Sequence, residues 1–146
     1  MVNKQKIKGT QWENQIVGLI QDNIKNSKAK RIAGSGAIGT SLQEPLLTGD
    51  IIIDFKSFPK KFRAEAKVGY GGEKQLTLKR DWFNKIKAEA ESSYSIPIII
   101  CKFLGSRKTD GIQYFVSIDF DTFCSIINYI EDLKQELDSK VEKDNG

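Results

Sequence analysis

The stretch Gly49-Asp-Ile-Ile-Ile-Asp-Phe-Lys-Ser-Phe-Pro-Lys-Lys-Phe-Arg-Ala-Glu-Ala-Lys-Val68 decides how the rest of the chain is read. It divides into two strands with a short turn between them. Asp50 to Phe55 is a β-branched run, and Phe62 to Val68 alternates strictly. Strand side chains repeat every second residue, so Arg63, Glu65 and Lys67 share one face while Phe62, Ala64, Ala66 and Val68 share the other. If the strands pair, Asp50 at the start of the first lies close to Glu65. Two carboxylates and an amine then meet at one place. Asp54 is on the same strand face but four residues further on, ~13 Å along the strand, and reads as a neighbour rather than a member of the cluster.

Such a cluster suits hydrolysis of a phosphodiester. Two hard oxygen anions hold Mg²⁺ while it keeps several waters, and the ion polarises a phosphoryl oxygen and acidifies a water. A lysine two residues beyond a ligand orients that water and stabilises the developing charge. The alternative is a solvated hairpin whose Glu65 and Lys67 lie in water, and for an isolated Glu-x-Lys that alternative wins. Gly-Asp ahead of a buried type of strand, followed by Ala-Glu-Ala-Lys in the next, favours the site.

Composition narrows the chemistry further. The chain has 146 residues and no histidine, which excludes Ser-His-Asp and Cys-His hydrolysis, histidine bases and mixed Cys/His zinc sites. Cys101 and Cys124 sit in apolar patterns without CxxC spacing and read as buried, reduced thiols. No apolar run approaches membrane-spanning length, and the start lacks the apolar stretch of a signal peptide, so a cytoplasmic protein is expected. Residues 1–110 carry 20 Lys and Arg against 11 Asp and Glu, whereas residues 111–146 carry 3 against 8. A basic body fits a polyanionic partner, though a lysine-rich surface alone would give the same balance. Lys56, Lys60, Lys61, Arg63, Lys74, Lys79 and Arg80 flank the proposed site and tilt the reading toward nucleic acid. Gln75, just before the next helix, reads either as an exposed polar turn residue or as a contact to site or substrate.

The remaining elements follow in order. A basic leader, residues 1–9, precedes a helix with Thr10 as N-cap and Trp12, Ile16, Leu19 and Ile20 as its apolar stripe. Glu13 stands at the capping-box position relative to Thr10, so it either folds back on its own helix or points at a metal. Ala29 to Ala33 reads as a short strand, and Gly34-Ser-Gly-Ala-Ile-Gly39 as a glycine-rich turn without P-loop spacing. Gly69-Tyr-Gly-Gly72 is a second loop, before a helix from about Thr77 to Ser92 striped by Leu78, Trp82, Phe83, Ile86 and Ala90. Pro97 introduces a nearly continuous apolar strand, and Gln113 to Ile118 alternates as another. Asp119 or Asp121 caps a last helix to about Lys140, which closes the core or forms a dimer seam, and residues 141–146 should fray. The order describes an α/β (mixed α+β) protein, one domain built on a mixed five-stranded sheet with helices on both faces, its core spanning residues 10–118.

Taken together, Glu13, Arg31-Ile-Ala-Gly-Ser-Gly36, Gly49-Asp50-Ile-Ile-Ile and Glu65-Ala-Lys67 resemble the PD-(D/E)xK nuclease superfamily, and within it the archaeal-type Holliday-junction resolvases with their phage-encoded relatives. The likeness spans roughly residues 10–104; Gly49 stands where the family has proline, and the loop from Ser35 to Asp50 is long for a resolvase. The resemblance implies a restriction-endonuclease-like core. It implies Mg²⁺, with Mn²⁺ as a substitute, held by Asp50, Glu65 and the carbonyl of Ala66, with Glu13 ligating directly or through water. Lys67 would activate the attacking water, Ser35 would lie by the scissile phosphate, and Arg31 would join the DNA-binding residues. A homodimer nicking opposing strands of a four-way DNA junction follows from the same likeness. Competing readings are another phage recombination, repair or restriction nuclease, and a catalytically silent DNA-binding module.

Overall fold

The computed structural model describes residues 4–32, 51–105 and 107–146. Among these residues three α-helices, α1 (Lys4–Asn23), α2 (Arg80–Ser92) and α3 (Phe120–Asn145), accompany five strands: β1 (Ser27–Arg31), β2 (Ile51–Phe55), β3 (Phe62–Val68), β4 (Ile96–Lys102) and β5 (Tyr114–Ser117). The strands form one mixed sheet in the order β1-β2-β3-β4-β5. Only the β3–β4 pair is parallel; the other three are antiparallel. A parallel pair cannot be closed by a tight turn, and the connection that carries α2 supplies the crossover. β3 is therefore the middle strand, flanked by β2 and β4.

The period-two alternation sorts side chains onto two apolar layers. On one face Trp12 and Ile16 of α1 pack with Ile51, Ile53, Phe62, Ala64, Ile98 and Ile100. On the other, Ile86 of α2 packs with Ile99 and Cys101, joined by Leu76, Trp82, Phe83 and Phe115. β4 is buried on both faces, as its unbroken apolar run requires. Each fully buried isoleucine contributes about 1.5–3 kcal/mol of burial. Trp12 adds a long-range tie, its Nε1 donating to the carbonyl of Ile100 at 3.2 Å. Lys102 lies over the Trp12 ring and donates to Gln15, pinning the helix a second time.

Several boundaries differ from expectation. α1 starts at Lys4, so Thr10 is inside the helix and caps nothing. Lys4, Gln5, Lys6 and Lys8 tolerate helix well, and propagation from a helix seated by Trp12 costs little. α2 starts at Arg80 instead of Thr77 because the N–H of Thr77 donates to the carbonyl of Tyr70 at 2.6 Å, which closes the preceding loop. Leu78 is exposed as a result. α3 is capped by Asp119, which accepts from the Thr122 N–H at 3.2 Å and from its hydroxyl. It runs on through Asn145, so residues 141–145 are helical where fraying was expected. Among the described residues no helix is long and apolar enough to cross a membrane.

Candidate active site

Alternation places Arg63, Glu65 and Lys67 on the α2 side of β3, opposite the face that Phe62 and Ala64 give to α1. The strand's central position buries them: Arg63 is 2 % exposed and Glu65 5 %. Lys67 Nζ stands 3.1 Å from Glu65 Oε1, and Lys85 Nζ from α2 reaches the same oxygen at 3.8 Å. The second oxygen, Glu65 Oε2, is buried and has no hydrogen-bond partner among the described residues. A buried carboxylate oxygen is costly unless something completes its coordination.

The lysines are held by rings. Tyr70 and Trp82 meet edge to face with centroids 4.5 Å apart. Lys67 Nζ lies 4.6 Å from the Trp82 ring centre and 5.5 Å from that of Tyr70. Lys79 Nζ lies over the same two rings at 5.8 and 5.9 Å. Tyr70 is put there by a glycine: Gly71 has φ +122°, and a Cβ on it would sit 3.0 Å from the carbonyl oxygen of Gln75. Two ammonium groups thus share one aromatic corner beside the carboxylate.

A further anion lies below them. Glu89 of α2 is 5 % exposed, and Lys85 Nζ is 3.8 Å from its Oε1. Burial lowers the pKa of Arg63, and the charge of Glu89 works against that shift. Cys101 pairs with Lys67 across the β3–β4 ladder. Burial pushes its thiol up to about 11 against the pull of the Lys67 ammonium, which leaves it protonated and inert at neutral pH.

The other expected residues are placed as follows. Glu13 accepts from Arg31 through both Nε and a terminal nitrogen at 2.8 Å, with its side chain 15 % exposed. Glu13 is therefore bound across to β1 and does not fold back onto its own helix end. Arg31 is paired with Ile51, so this ion pair lies at the Ile51 end of the β1–β2 ladder. Glu13 makes no ion pair with Lys67 or Lys85 among the described residues. Lys60 lies over Tyr129 of α3 at 6.0 Å, at the turn end of β3 away from Lys67. Lys61, Gln75 and Arg80 are exposed, the last two before or at the start of α2. Asp50 and Ser35 lie outside the described residues. Among those described, no three acidic or thiol groups converge to hold a metal by themselves. Lys85 and Glu89 were missed by sequence reasoning. Their i,i+4 spacing was visible, but nothing in it marks Glu89 as buried.

The sequence matches the family described as "Phage putative PDDEXK endonuclease" over residues 4–140. The chain belongs to that family. It is a nuclease of the PD-(D/E)xK superfamily, a group that generally uses divalent metals and acts on DNA. In structure it is similar to Hjc of Archaeoglobus fulgidus, a Holliday junction resolvase from an archaeal hyperthermophile. The TM-score is 0.51 at 14 % identity, covering 73 % of this chain and 72 % of that one. That likeness shows a shared fold. No curated protein matches the chain in sequence. The match extends through most of α3.

Proposed function

We propose that the chain is a divalent-metal-dependent, structure-selective DNA endonuclease that resolves four-way junctions as a homodimer. One observation carries the site: Glu65 presents a buried oxygen without a hydrogen-bond partner among the described residues, beside Lys67 at 3.1 Å. That orphaned oxygen fits a bound cation. Asp50 is the proposed second carboxylate; it is joined by one peptide bond to Ile51, which pairs with Ala64, the residue before Glu65. Ala66 would add its carbonyl and Glu13 a direct or water-mediated contact, as the resemblance implies. Mg²⁺ is the proposed ion, with Mn²⁺ as substitute; when bound it supplies charge neutralisation at the phosphate and a more acidic water.

The chain's own groups do the rest. Lys67 donates hydrogen bonds from Nζ to the attacking water and to a non-bridging phosphate oxygen, where negative charge grows. Trp82 and Tyr70 hold its stem and ammonium in one place, which removes the cost of ordering a long side chain at the moment of reaction. Lys79 and Lys85 offer further positive charge to the backbone, with Arg31, Lys60, Lys61, Gln75, Arg80 and Ser35 as the wider proposed DNA-binding set; Arg63, expected among them, is buried beneath α2 beside Glu89 and out of reach of a phosphate backbone. Phosphate contacts of this kind give affinity that falls steeply with salt.

The test is cleavage of a synthetic four-way junction, a flap, a plain duplex and a single strand of the same sequence, with Mg²⁺, with Mn²⁺ and with chelator. Paired nicks in opposing strands of the junction, lost in Glu65→Ala, Asp50→Ala and chelator, are expected. Equal cutting of all substrates removes the junction preference. Metal-independent cutting, or a Glu65→Ala variant as active as wild type, removes the proposed site. Salt-sensitive binding without any cleavage leaves a silent DNA-binding module.

A further inference from the structure

α2 lies over β3 in reverse order, and its sheet-facing residues meet those of the strand one by one. Trp82 stands over Lys67 at 4.6 Å, Lys85 Nζ reaches Glu65 at 3.8 Å, and Glu89 acts on Arg63 through its charge. The ~10 Å that a helix rises over seven residues roughly matches the ~13 Å that a strand spans over four, so the three contacts keep one register. Arg63, Glu65 and Glu89 are buried, and the Lys67 side chain is 16 % exposed. Lys85 differs from them, with 54 % of its side chain in solvent. Arg63 with Glu89, and Lys67 with Glu65, already balance in sign. Lys85 is the surplus cation of the set, and it stands between the two carboxylates, 3.8 Å from Oε1 of Glu65 and 3.8 Å from Oε1 of Glu89.

Stability gives little reason for this placement. Lysine ahead of glutamate at i,i+4 is the weaker order for a helix pair, and apolar packing of the same volume often does as well as a buried set of charges. What Lys85 does change is the field at Glu65. Two ammonium groups converge on Oε1, while Oε2 has no hydrogen-bond partner among the described residues. Lys67 is fixed by the Tyr70 and Trp82 rings, whereas Lys85 sits on a long, half-solvated stem and can move. Glu89 is already in contact with it, and as a buried carboxylate Glu89 gains more from a cation than from the little water it meets.

We propose that Lys85 is a tethered counter-cation which a divalent ion displaces from Glu65, and that Glu89 is the carboxylate to which it withdraws. The proposal rests on the reading of Glu65 as a metal ligand and adds to it two positioning residues on α2. Lys85 opposes loading of the ion by holding positive charge against Glu65. Glu89 favours loading, and does so through Lys85, by drawing that charge away.

Mn²⁺ binding to the DNA-free full-length protein, read from the electron paramagnetic resonance signal of the free ion, tests this without any cleavage. Lys85→Met keeps the stem and removes the charge, and should tighten Mn²⁺ about three- to tenfold, the scale of one partly screened unit charge. Lys85→Arg should stay near wild type. Glu89→Gln should weaken Mn²⁺ about two- to fivefold by the same reasoning, and the double variant Lys85→Met with Glu89→Gln should bind like Lys85→Met alone, because no lysine is left to draw off. A thermal melt accompanies each variant. Lys85 is half in solvent, so Lys85→Met decides the matter even where Glu89→Gln fails to fold. Unchanged or weaker Mn²⁺ binding in Lys85→Met, equal tightening in Lys85→Arg, or a Glu89→Gln effect that persists in the double variant would each overturn the proposal. Glu65→Gln separates it from the reading beneath it. If that variant loses Mn²⁺ while Lys85→Met binds as wild type does, the metal site stands and this proposal falls; if Glu65→Gln binds Mn²⁺ as well as wild type, or wild type and Lys85→Met both bind none, the two fall together.

Discussion

Trp82→Leu separates a ring that positions Lys67 for the proposed reaction from a ring that merely fills space. Leucine keeps an apolar side chain on the α2 stripe next to Phe83, but it removes the π face 4.6 Å from Lys67 Nζ and the edge-to-face partner of Tyr70. A cation–π contact of this kind is worth about 0.5–2 kcal/mol, depending on how far it is desolvated. Lys67 is mostly buried, 16 % exposed, which favours the upper part of that range. If the ammonium must stay in place for the reaction, the loss converts to a two- to thirtyfold fall in the cleavage step, on the order of tenfold per 1.4 kcal/mol. Single-turnover cleavage with saturating protein isolates that step from DNA binding. The fall should appear in the rate constant, with half-saturation little changed, and Trp82→Phe should recover most of it because a π face remains. A thermal melt must accompany the assay. The stability loss should be smaller than the about 3–5 kcal/mol of truncating a fully buried tryptophan to alanine. Wild-type cleavage by Trp82→Leu, or a Trp82→Phe variant as slow as Trp82→Leu, would refute the positioning role.

Other outcomes follow from the same structure. Glu13→Gln should leave the melting transition almost unmoved, since its bridge to the half-exposed Arg31 is worth at most about 1 kcal/mol, while cleavage falls about 10–100-fold if Glu13 supports the ion from an outer position; a variant that melts lower but cuts normally would make it purely structural. Ile99→Ala, at a fully buried position between α2 and the sheet, should cost about 2–5 kcal/mol in urea unfolding, and a loss below 1 kcal/mol would contradict the packing described here. Burial raises the Asp119 carboxyl, but the Thr122 hydrogen bonds and Lys87 outweigh it and hold the group below the usual carboxylate range. Its contribution is therefore complete above the unfolded pKa and is lost as pH falls through the lower folded value. Asp119→Ala should cost about 0.5–2 kcal/mol at neutral pH and flatten this part of the acid unfolding curve; an unchanged curve would remove the cap.

How much of this was legible in the residues varied with the physics involved. The β3 face was legible because a period of two leaves one arrangement for Arg63, Glu65 and Lys67 once Phe62 and Ala64 face the core. β4 was legible from its unbroken apolar run. The start of α1 was not, because Thr10-x-x-Glu13 satisfies a local capping pattern while Glu13 is taken by Arg31, eighteen residues on in sequence. The start of α2 depended on the Tyr70–Thr77 hydrogen bond, a loop closure that no propensity reports. Glu89 was hidden for a related reason. Its burial is compensated by Lys85 on its own helix and by the charge of Arg63, which approaches only after β3 and α2 have packed. Trp82 was read as core material and Tyr70 as part of a loop, and their second role needed that loop to set Tyr70 across from Trp82.

The central place of β3 has a consequence for how this enzyme can fluctuate. Backbone amides of Phe62, Arg63 and Ala64 are bracketed by β2 and β4 and sandwiched between α1 and α2. Hydrogen exchange at these amides should then require opening of the whole sheet, whereas fraying at β5 or at the end of α3 passes them by. The first half of β3, which anchors Glu65 and Lys67, is thus the last of the described elements to loosen.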